Sequence, residues 1–325
     1  MTPSRPPDGL DGWCPGGVGL VWLTGADRLP FLHRMSTNRV ADLAPGQRRS
    51  TVLVSDAGRV VDWVACYHSA DGTALVTSDP AAAAAVTAHL ARYTLRDDVR
   101  VTNATGQVVV RRVFGARATA LVEALLGPMP GAPDRGFIEH GEGDTTIWAL
   151  RHASPWPDSG WDIVVPSAAS DAAFSRACAA ARVGQLSAAA YASGRIRHVV
   201  PRFGAEIDGT TNPLELGLFE LIDFNKGCYI GQEIVARLDT YQKVSRRLVA
   251  LRGDAPLSIG DIVHPRGVAP TSRRRDGQGR VTSVAPAEIG GSALAIVPSA
   301  WLAGDSRELV VGDDQPVWVI APGER

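Results

Sequence analysis

The hydrophobic and polar positions along the chain alternate between strand-like and helix-like spacing up to about residue 245, and strand-like segments follow. Apolar, β-branched runs on either side of Asp56-Ala57-Gly58 are typical of a β-hairpin. An apolar face at Val86, Leu90 and Tyr93 predicts an alanine-rich helix after Asp79-Pro80, which supplies an N-cap and a proline for the first turn. This order predicts an α+β chain with a β-rich end.

The same patterns predict the remaining elements and the division into domains. Strands are predicted at residues 18–23, 51–55, 60–67, 74–77, 107–114, 145–150 and 161–165, and helices at 27–35, 80–93, 116–126 and 170–182. Short strands at 248–251, 262–263, 280–284, 294–297 and 317–320 predict a small C-terminal β-barrel. The predicted domains are a flexible lead-in at 1–15, two ferredoxin-like α+β units (16–105 with 186–244, and 106–185) and a barrel at 245–325.

The composition excludes several classes of protein. A chain of 325 residues with 45% hydrophobic and 21% charged residues is typical of a soluble globular protein. Its net charge of −1 gives no electrostatic case for nucleic-acid or anionic membrane partners. No apolar run reaches the roughly 20 residues that span a bilayer, and the N-terminus lacks a secretory pattern. The basic run at 273–275 is predicted to be a solvated loop.

The four cysteines, Cys14, Cys66, Cys178 and Cys228, are widely spaced and form no C-x-x-C pair. That spacing suits neither a disulfide scaffold nor a zinc site. We therefore expect a cytoplasmic protein with no bound metal.

The candidate chemistry lies in the segment Lys226-Gly-Cys-Tyr-Ile-Gly-Gln-Glu233. Only Lys226 and Lys243 are lysines among 33 basic residues, and one of them stands two positions before Cys228. Gly231 and the apolar residues after it predict a helix start, whose dipole would favour a thiolate together with the ammonium of Lys226. Two interpretations remain open: Cys228 is a nucleophile or soft ligand, or it is a small buried cysteine in a tight turn.

This segment, followed by Val235-Ala-Arg237, resembles the signature of the YgfZ-type folate-binding proteins. These proteins are relatives of the aminomethyltransferase, or T-protein, of the glycine cleavage system. Other segments similar to the family lie at 23–27, 37–38, 43–46, 58–62, 212–215 and 279–283, so the resemblance extends from about residue 18 to 298. In the transferase branch an aspartate usually occupies position 228, and the cysteine here is typical of the YgfZ-like branch.

The resemblance implies the two α+β units and the barrel around a central channel for tetrahydrofolate or a one-carbon derivative. It also implies catalytic or functional roles for Cys228 and Lys226. Asp162 matches the carboxylate that binds the pterin, and an exposed strand aspartate is the alternative. Asp62 matches one of two adjacent transferase acids, with Trp63 beside it instead of the second. The remaining candidate folate contacts are Trp161, Arg195, Arg197 and Tyr229.

Two of these contacts have ordinary structural alternatives. Arg195 and Arg197 would bind the folate glutamate tail, but arginines in a connecting segment are more often solvated. Trp161 neighbours Asp162 and should point to the opposite face of a regular strand. Trp22, Trp63 and Trp156 are further candidates for stacking on a folate ring, although most tryptophans in such a chain belong to the core.

The resulting hypothesis is a tetrahydrofolate-binding accessory protein for the assembly or maintenance of iron–sulfur enzymes. Its partners would be folate and iron–sulfur enzymes or assembly proteins, and Cys228 would handle sulfur, iron or a one-carbon group. The alternatives are a folate-dependent aminomethyl- or methyltransferase and a folate-responsive interaction module without catalysis.

Overall fold

The computed structural model describes residues 10–128, 136–141, 146–156, 160–165, 171–241, 244–267, 278–285, 291–302, 308–312 and 315–320. The chain divides into two compact units. The first unit comprises Met1–Leu32, Val40–Ser50 and Val64–Gly194, and the second comprises His33–Arg39, Thr51–Trp63 and Arg195–Arg325. The predicted loop at 273–275 and residues 1–9 of the predicted lead-in lie outside the described residues.

The described residues form strands separated by short helices. The strands are β1 (Gly12–Pro15), β2 (Leu20–Thr24), β3 (Arg48–Val54), β4 (Val60–His68), β5 (Thr73–Thr77), β6 (Arg100–Asn103), β7 (Val109–Phe114), β8 (Phe137–His140), β9 (Ile147–Arg151), β10 (Trp161–Val165), β11 (Arg246–Gly253), β12 (Ile262–His264), β13 (Gly279–Val284), β14 (Gly291–Pro298), β15 (Glu308–Val311) and β16 (Gln315–Ile320). The helices are α1 (Arg28–Met35), α2 (Ala82–Ala91), α3 (Ala118–Leu126), α4 (Asp171–Ala181), α5 (Ala188–Arg197) and α6 (Gln232–Thr240).

One sheet of the first unit has the strand order β1-β7-β10-β9-β8, and its strands pair antiparallel. Successive residues of a strand point to opposite faces, so β10 presents Trp161, Ile163 and Val165 to one side. These three side chains pack in a buried cluster with residues of α3 and α4, including Leu121 and Phe174. Asp162 consequently belongs to the other face of the sheet, as the alternation in the sequence predicts.

The other sheet has the order β3-β4-β5-β2-β6. Within the first unit, residues of this sheet such as Leu20, Tyr67 and Val76 share a buried cluster with Leu150 and Val164 of the β1-β7-β10-β9-β8 sheet. The outer part of the β3–β4 hairpin, Thr51–Trp63, is counted with the second unit.

The strands β11, β14, β13, β12, β15 and β16 form a closed barrel in that order. Its interior is filled by aliphatic side chains, among them Leu251, Val263, Val281 and Leu309. The predicted C-terminal barrel is therefore confirmed, and β15 is a strand that the sequence pattern missed. Glu308 begins that short strand at the surface, which weakens the apolar signal.

Two details of the sequence interpretation are corrected by the structure. Gly12–Pro15 form a strand paired with β7, so the lead-in does not extend to residue 15. Helix α2 begins at Ala82 rather than at Pro80, because the chain first makes a tighter turn in which the Ala82 N–H donates to the Asp79 carbonyl oxygen. The Asp79 carboxylate accepts the Ala81 N–H, as an N-cap residue does.

Candidate functional site

The segment that carries Cys228 is a turn that leads into α6, as the sequence predicts. Gly231 is the N-cap residue of α6 and has a φ of 75°, a conformation that favours glycine. A Cβ on Gly231 would overlap the carbonyl oxygen of Ser55 in the β3–β4 hairpin. This glycine is therefore required both by its backbone conformation and by the close approach of the hairpin.

Cys228 is exposed, whereas Cys14, Cys66 and Cys178 are buried. Burial raises the pKa of the Cys14 thiol to about 11, although the charge of Arg112 opposes it. Burial also raises the pKa of Cys178. Of the two interpretations of Cys228, the buried structural cysteine is thus wrong, and its thiol is accessible to a reagent or a partner.

Lys226 is buried, and its ammonium group binds backbone carbonyl oxygens. Its Nζ donates hydrogen bonds to the carbonyl oxygens of His33 at 2.6 Å, Ser36 at 2.7 Å and Asn38 at 2.7 Å. These carbonyls lie at and just beyond the C-terminal end of α1, where a positive charge is favourable. An ammonium has three donors on one atom, and a planar guanidinium has no equivalent geometry. The structure thus gives Lys226 a structural function, and its catalytic role stays a prediction.

Tyr229 belongs to the same turn, and its side chain is buried. Its ring centroid is 5.3 Å from the ammonium nitrogen of Lys226, a cation–π arrangement. Burial, with a smaller contribution from Glu233, raises the pKa of Tyr229 to about 12. The side chain therefore anchors the turn, and only 8% of the residue surface is exposed.

In the first unit, Asp162 is part of a buried polar cluster on the sheet face opposite α3 and α4. Arg112 donates from Nε to Oδ1 at 2.8 Å and from Nη2 to Oδ2 at 3.1 Å. His152 Nε2 lies 3.0 Å from Oδ1. Burial opposes ionisation, but the charges and hydrogen bonds of Arg112 and His152 outweigh it and hold the pKa of Asp162 well below its usual range.

Aromatic rings surround this polar cluster. The guanidinium carbon of Arg112 lies 5.2 Å from the ring centroid of Trp156, and Trp156 stacks on Tyr191 at 5.6 Å. The Tyr191 hydroxyl is 3.3 Å from Arg112 Nη1. Phe114 packs against His152 with ring centroids 4.8 Å apart. Arg112 and Asp162 thus lie in a buried, water-poor environment, where the attraction between their charges is stronger than in water.

Sequence reasoning missed Arg112 and His152. Arg111 and Arg112 interrupt the apolar strand β7, and adjacent charges inside such a run indicate that one of them is buried with a partner. A Cβ on Gly160 would overlap the His152 ring, so the glycine before β10 makes room for the imidazole. The first signal was visible in the sequence, whereas the second requires the fold.

The other predicted folate contacts are mostly inaccessible. Asp62 is fully buried in β4, and its neighbour Trp63 donates its indole N–H to the carbonyl oxygen of Pro201 at 2.9 Å. Trp161 is 2% exposed within the helix-covered core and donates to Thr119 Oγ1. The structure therefore does not support Trp161 as a folate contact, in agreement with its expected direction.

Arg195 and Arg197 have different environments in the second unit. Arg195 is buried and donates to Glu206 Oε2 at 3.1 Å and to the carbonyl oxygen of Val200 at 2.9 Å. Glu206 accepts further hydrogen bonds from the hydroxyls of Thr282 and Ser283. Arg197 is exposed. Arg195 therefore has an internal partner in place of a folate carboxylate, and Arg197 alone of the two is accessible.

Comparison with known proteins places the chain in a family. Residues 17–226 match the model of the GCVT N-terminal domain. The chain belongs to the GCVT family. Residues of the first compact unit and of the second, including Lys226, fall within the matched range.

Relatives of this GCVT-family chain include proteins named as transferases. A putative chloroplastic transferase of Arabidopsis thaliana is 28% identical over 247 residues, which cover 75% of this chain and 56% of the relative. An aminomethyltransferase of Thermosynechococcus vestitus is 27% identical over 239 residues, which cover 72% of this chain and 63% of the relative. The chain thus spans less than two thirds of the length of these relatives.

A solved structure has the same fold as this GCVT-family chain. The glycine cleavage system aminomethyltransferase T of Bartonella henselae superposes with a TM-score of 0.77 and covers 97% of this chain and 86% of that protein. The sequence identity is 22%, so the likeness concerns the fold. The expected T-protein-like fold is confirmed.

The residues assigned to folate by resemblance do not yet fit that ligand. The resemblance assigns six side chains to the ligand. Five of the six assigned side chains are nevertheless buried, namely Asp162, Asp62, Trp161, Arg195 and Tyr229. Both carboxylate oxygens of Asp162 already accept hydrogen bonds from Arg112. Asp162 is 1% exposed, so a pterin could reach the free acceptor site of its Oδ2 only if the side chains that cover it moved.

Proposed function

We propose that this GCVT-family protein is a tetrahydrofolate-binding accessory protein for iron–sulfur enzymes, with Cys228 as its functional thiol. The observation that carries the proposal is the exposure of Cys228 in the turn before α6, while the other three cysteines are buried. The folate part is supported by family membership and by the aminomethyltransferase relatives. The resemblance of the segment 226–233 to the YgfZ-type signature supports the iron–sulfur part.

In this proposal, Cys228 acts on a group that a partner protein brings. The described residues contain no cluster of three or more His, Cys, Asp or Glu side chains that suits a metal ion. A single thiol cannot complete the four-ligand set of an iron–sulfur cluster. The partner is accordingly an iron–sulfur enzyme or an assembly protein. All four cysteines are free thiols, which supports a reducing compartment such as the cytoplasm.

The second candidate is a folate-dependent aminomethyl- or methyltransferase. It is favoured by the aminomethyltransferase relatives and by Asp62, which resembles one acid of the transferase pair. Trp63 beside Asp62, and Cys228 where the transferase branch has aspartate, count against it. Formation of methylenetetrahydrofolate from an aminomethylated lipoyl carrier would establish this second candidate instead.

The thiol is tested by complementation of a deletion strain whose iron–sulfur enzyme activity is measured. Cys228→Ser should fail to restore that activity, and Cys178→Ala, a buried control, should restore it if the protein accumulates normally. In the purified native protein, a thiol reagent should modify one cysteine per chain, and none in Cys228→Ser. Full activity with Cys228→Ser would overturn the thiol role and favour a folate-responsive interaction module.

Folate is tested by anaerobic titration of the purified protein with tetrahydrofolate. Saturable binding is expected in the wild type and in Asp71→Asn, a control at an exposed carboxylate. If the pterin binds at Asp162, Asp162→Asn, checked by its melting curve to be folded, weakens binding about tenfold or more, equivalent to about 1.4 kcal/mol. Unchanged binding would move the pterin anchor away from Asp162, and absence of wild-type binding would overturn the folate proposal.

A further inference from the structure

We propose that a cleft in the second unit binds a small molecule with an anionic group, a phosphate or a carboxylate, on an apolar body. The cleft has a volume of about 960 Å³ and is lined by the β3–β4 hairpin tip, helix α6 and barrel strands including β11 and β13. Ligand sites in proteins commonly have volumes of about 300–1,000 Å³. The residues that line this cleft have no role in the folate and thiol proposals.

One wall of the cleft is apolar. Ile234 and Leu238 of α6 line it, together with Ile262 and Ile296 of the barrel. Ile234 is 41% exposed although it is a large aliphatic residue. A Cβ on Gly58 of the hairpin would meet Ile234 at 2.9 Å, so the hairpin packs closely against one side of this residue. The remaining exposed surface of Ile234 lies in a concave site, where a ligand can cover it.

The cleft also contains more positive than negative charge. Arg59, Arg246 and Arg280 line it, against the carboxylates of Asp208 and Glu215. Arg246 is neutralised by Glu215, because its Nε donates to Oε1 at 3.0 Å and its Nη2 to Oε2 at 3.1 Å. Among the lining residues, Asp208 is therefore the remaining negative charge that opposes the positive charges of Arg59 and Arg280.

The geometry of the two remaining arginines suits anion recognition. Arg59 donates from Nη1 to the carbonyl oxygen of Thr210 at 2.6 Å, which positions the guanidinium without neutralising it. The Arg280 side chain is exposed and makes no hydrogen bond or ion pair within the part of the chain that the structure describes. Its Nη2 would lie 3.4 Å from a Cβ on Gly260, so the guanidinium rests close to the backbone there.

Asp208 does not neutralise either arginine by direct contact. Its Oδ1 accepts hydrogen bonds from the backbone N–H and the hydroxyl of Thr210 at 2.9 and 2.8 Å. The carboxylate thus stabilises the turn that also holds Arg59 through the Thr210 carbonyl. Guanidinium groups bind carboxylate and phosphate oxygens through paired hydrogen bonds. The combination of an available guanidinium and an apolar wall defines the ligand class.

The test is calorimetric titration of the full chain with three probes: phenyl phosphate, benzoate and inorganic phosphate. Saturable 1:1 binding of phenyl phosphate or benzoate is expected, and the tighter of the two identifies the preferred anion. Inorganic phosphate should bind at least about tenfold more weakly, because it lacks the apolar body. Equal affinity for inorganic phosphate would overturn the apolar part of the proposal.

The site is located with substitutions at exposed arginines. Arg280→Gln should weaken the better probe at least about tenfold. The matched control Arg252→Gln, an exposed position of β11 outside the cleft, should change its affinity less than about twofold. Absence of saturable binding by both aromatic probes, or equal losses in the two variants, would overturn the proposal.

Discussion

Arg112 holds Asp162 through two hydrogen bonds, at 2.8 and 3.1 Å, while both side chains are almost completely buried. Removal of one charge from such a pair leaves the other uncompensated in a water-poor environment. We expect Asp162→Asn to lower the free energy of unfolding by about 3–5 kcal/mol, measured by urea denaturation. The exposed control Asp71→Asn should change it by less than about 0.5 kcal/mol. A loss at Asp162 no larger than the control would contradict the ion pair as a stabilising contact.

His152 makes stability depend on pH in the mildly acidic range. Burial lowers the pKa of His152 below its ordinary value, although Asp162 opposes the shift. Below about pH 6.5, His152 is therefore protonated in the unfolded state while it stays neutral in the folded state. The free energy of unfolding consequently falls as the pH falls below about 6.5. We expect His152→Gln to reduce the slope by up to about 1.4 kcal/mol per pH unit, measured by unfolding between pH 7.5 and 5.5. A slope in His152→Gln equal to that of the wild type would contradict the lowered pKa of His152.

The same cluster adds a second acid-dependent loss. The pKa of Asp162 is held below its usual range, so its stabilisation is present above the unfolded value of about 3.9 and is lost as the pH falls below it. Unfolding curves below pH 4 should therefore show a further decline that Asp162→Asn reduces. An acid-stable protein with no change in this variant would be inconsistent with the low pKa.

Lys226 is expected to stabilise the fold through its three hydrogen bonds to backbone carbonyls. Lys226→Met leaves these buried acceptors without a charged donor, so we expect a loss of at least about 2 kcal/mol in urea denaturation. Lys226→Arg should also lose stability, because a planar fork cannot reach the same three acceptors. If Lys226→Met is as stable as the wild type but fails in complementation, the structural role is wrong and a catalytic role is favoured.

Val199 has a φ of 51°, a conformation that is unfavourable for a β-branched residue. Glycine relieves this strain but increases the entropy of the unfolded chain. We expect Val199→Gly to raise the free energy of unfolding by about 0.5–1 kcal/mol, the difference of the two effects. The control Ala192→Gly, within α5, should lower it by about 1 kcal/mol, and a comparable loss at Val199 would contradict the strain.

The elements that were predicted correctly are those with strong local signals. The hairpin around Gly58, helix α3 with its terminal Gly127 and the start of α6 at Gly231 follow directly from residue type and spacing. Strands β1, β6, β8 and β15 were missed because each has only four residues, too few for a clear alternation of apolar and polar positions. The start of α2 was misplaced by two residues because a tight turn, closed by the Ala82 N–H and the Asp79 carbonyl oxygen, precedes the α-helix.

Side-chain environments were less predictable than elements. The exposure of Cys228 and the opposite direction of Trp161 relative to Asp162 were consistent with local patterns. The pairing of Asp162 with Arg112 joins residues 50 positions apart, and that of Arg195 with Glu206 depends on how a loop folds back. A sequence shows which side chains can ionise, but only the fold shows which charges already have an internal partner.

The close approach of Gly231 to the β3–β4 hairpin shows that packing, and not chemistry, requires this position of the signature segment. Gly231 accommodates the Ser55 carbonyl, Lys226 holds the end of α1, and Gln232 accepts the Tyr229 N–H. Three positions of the signature segment are thus required by the geometry of a turn, whereas the side chain of Cys228 is exposed to solvent. Two chains with the same turn and different residues at position 228 can share a fold without sharing chemistry.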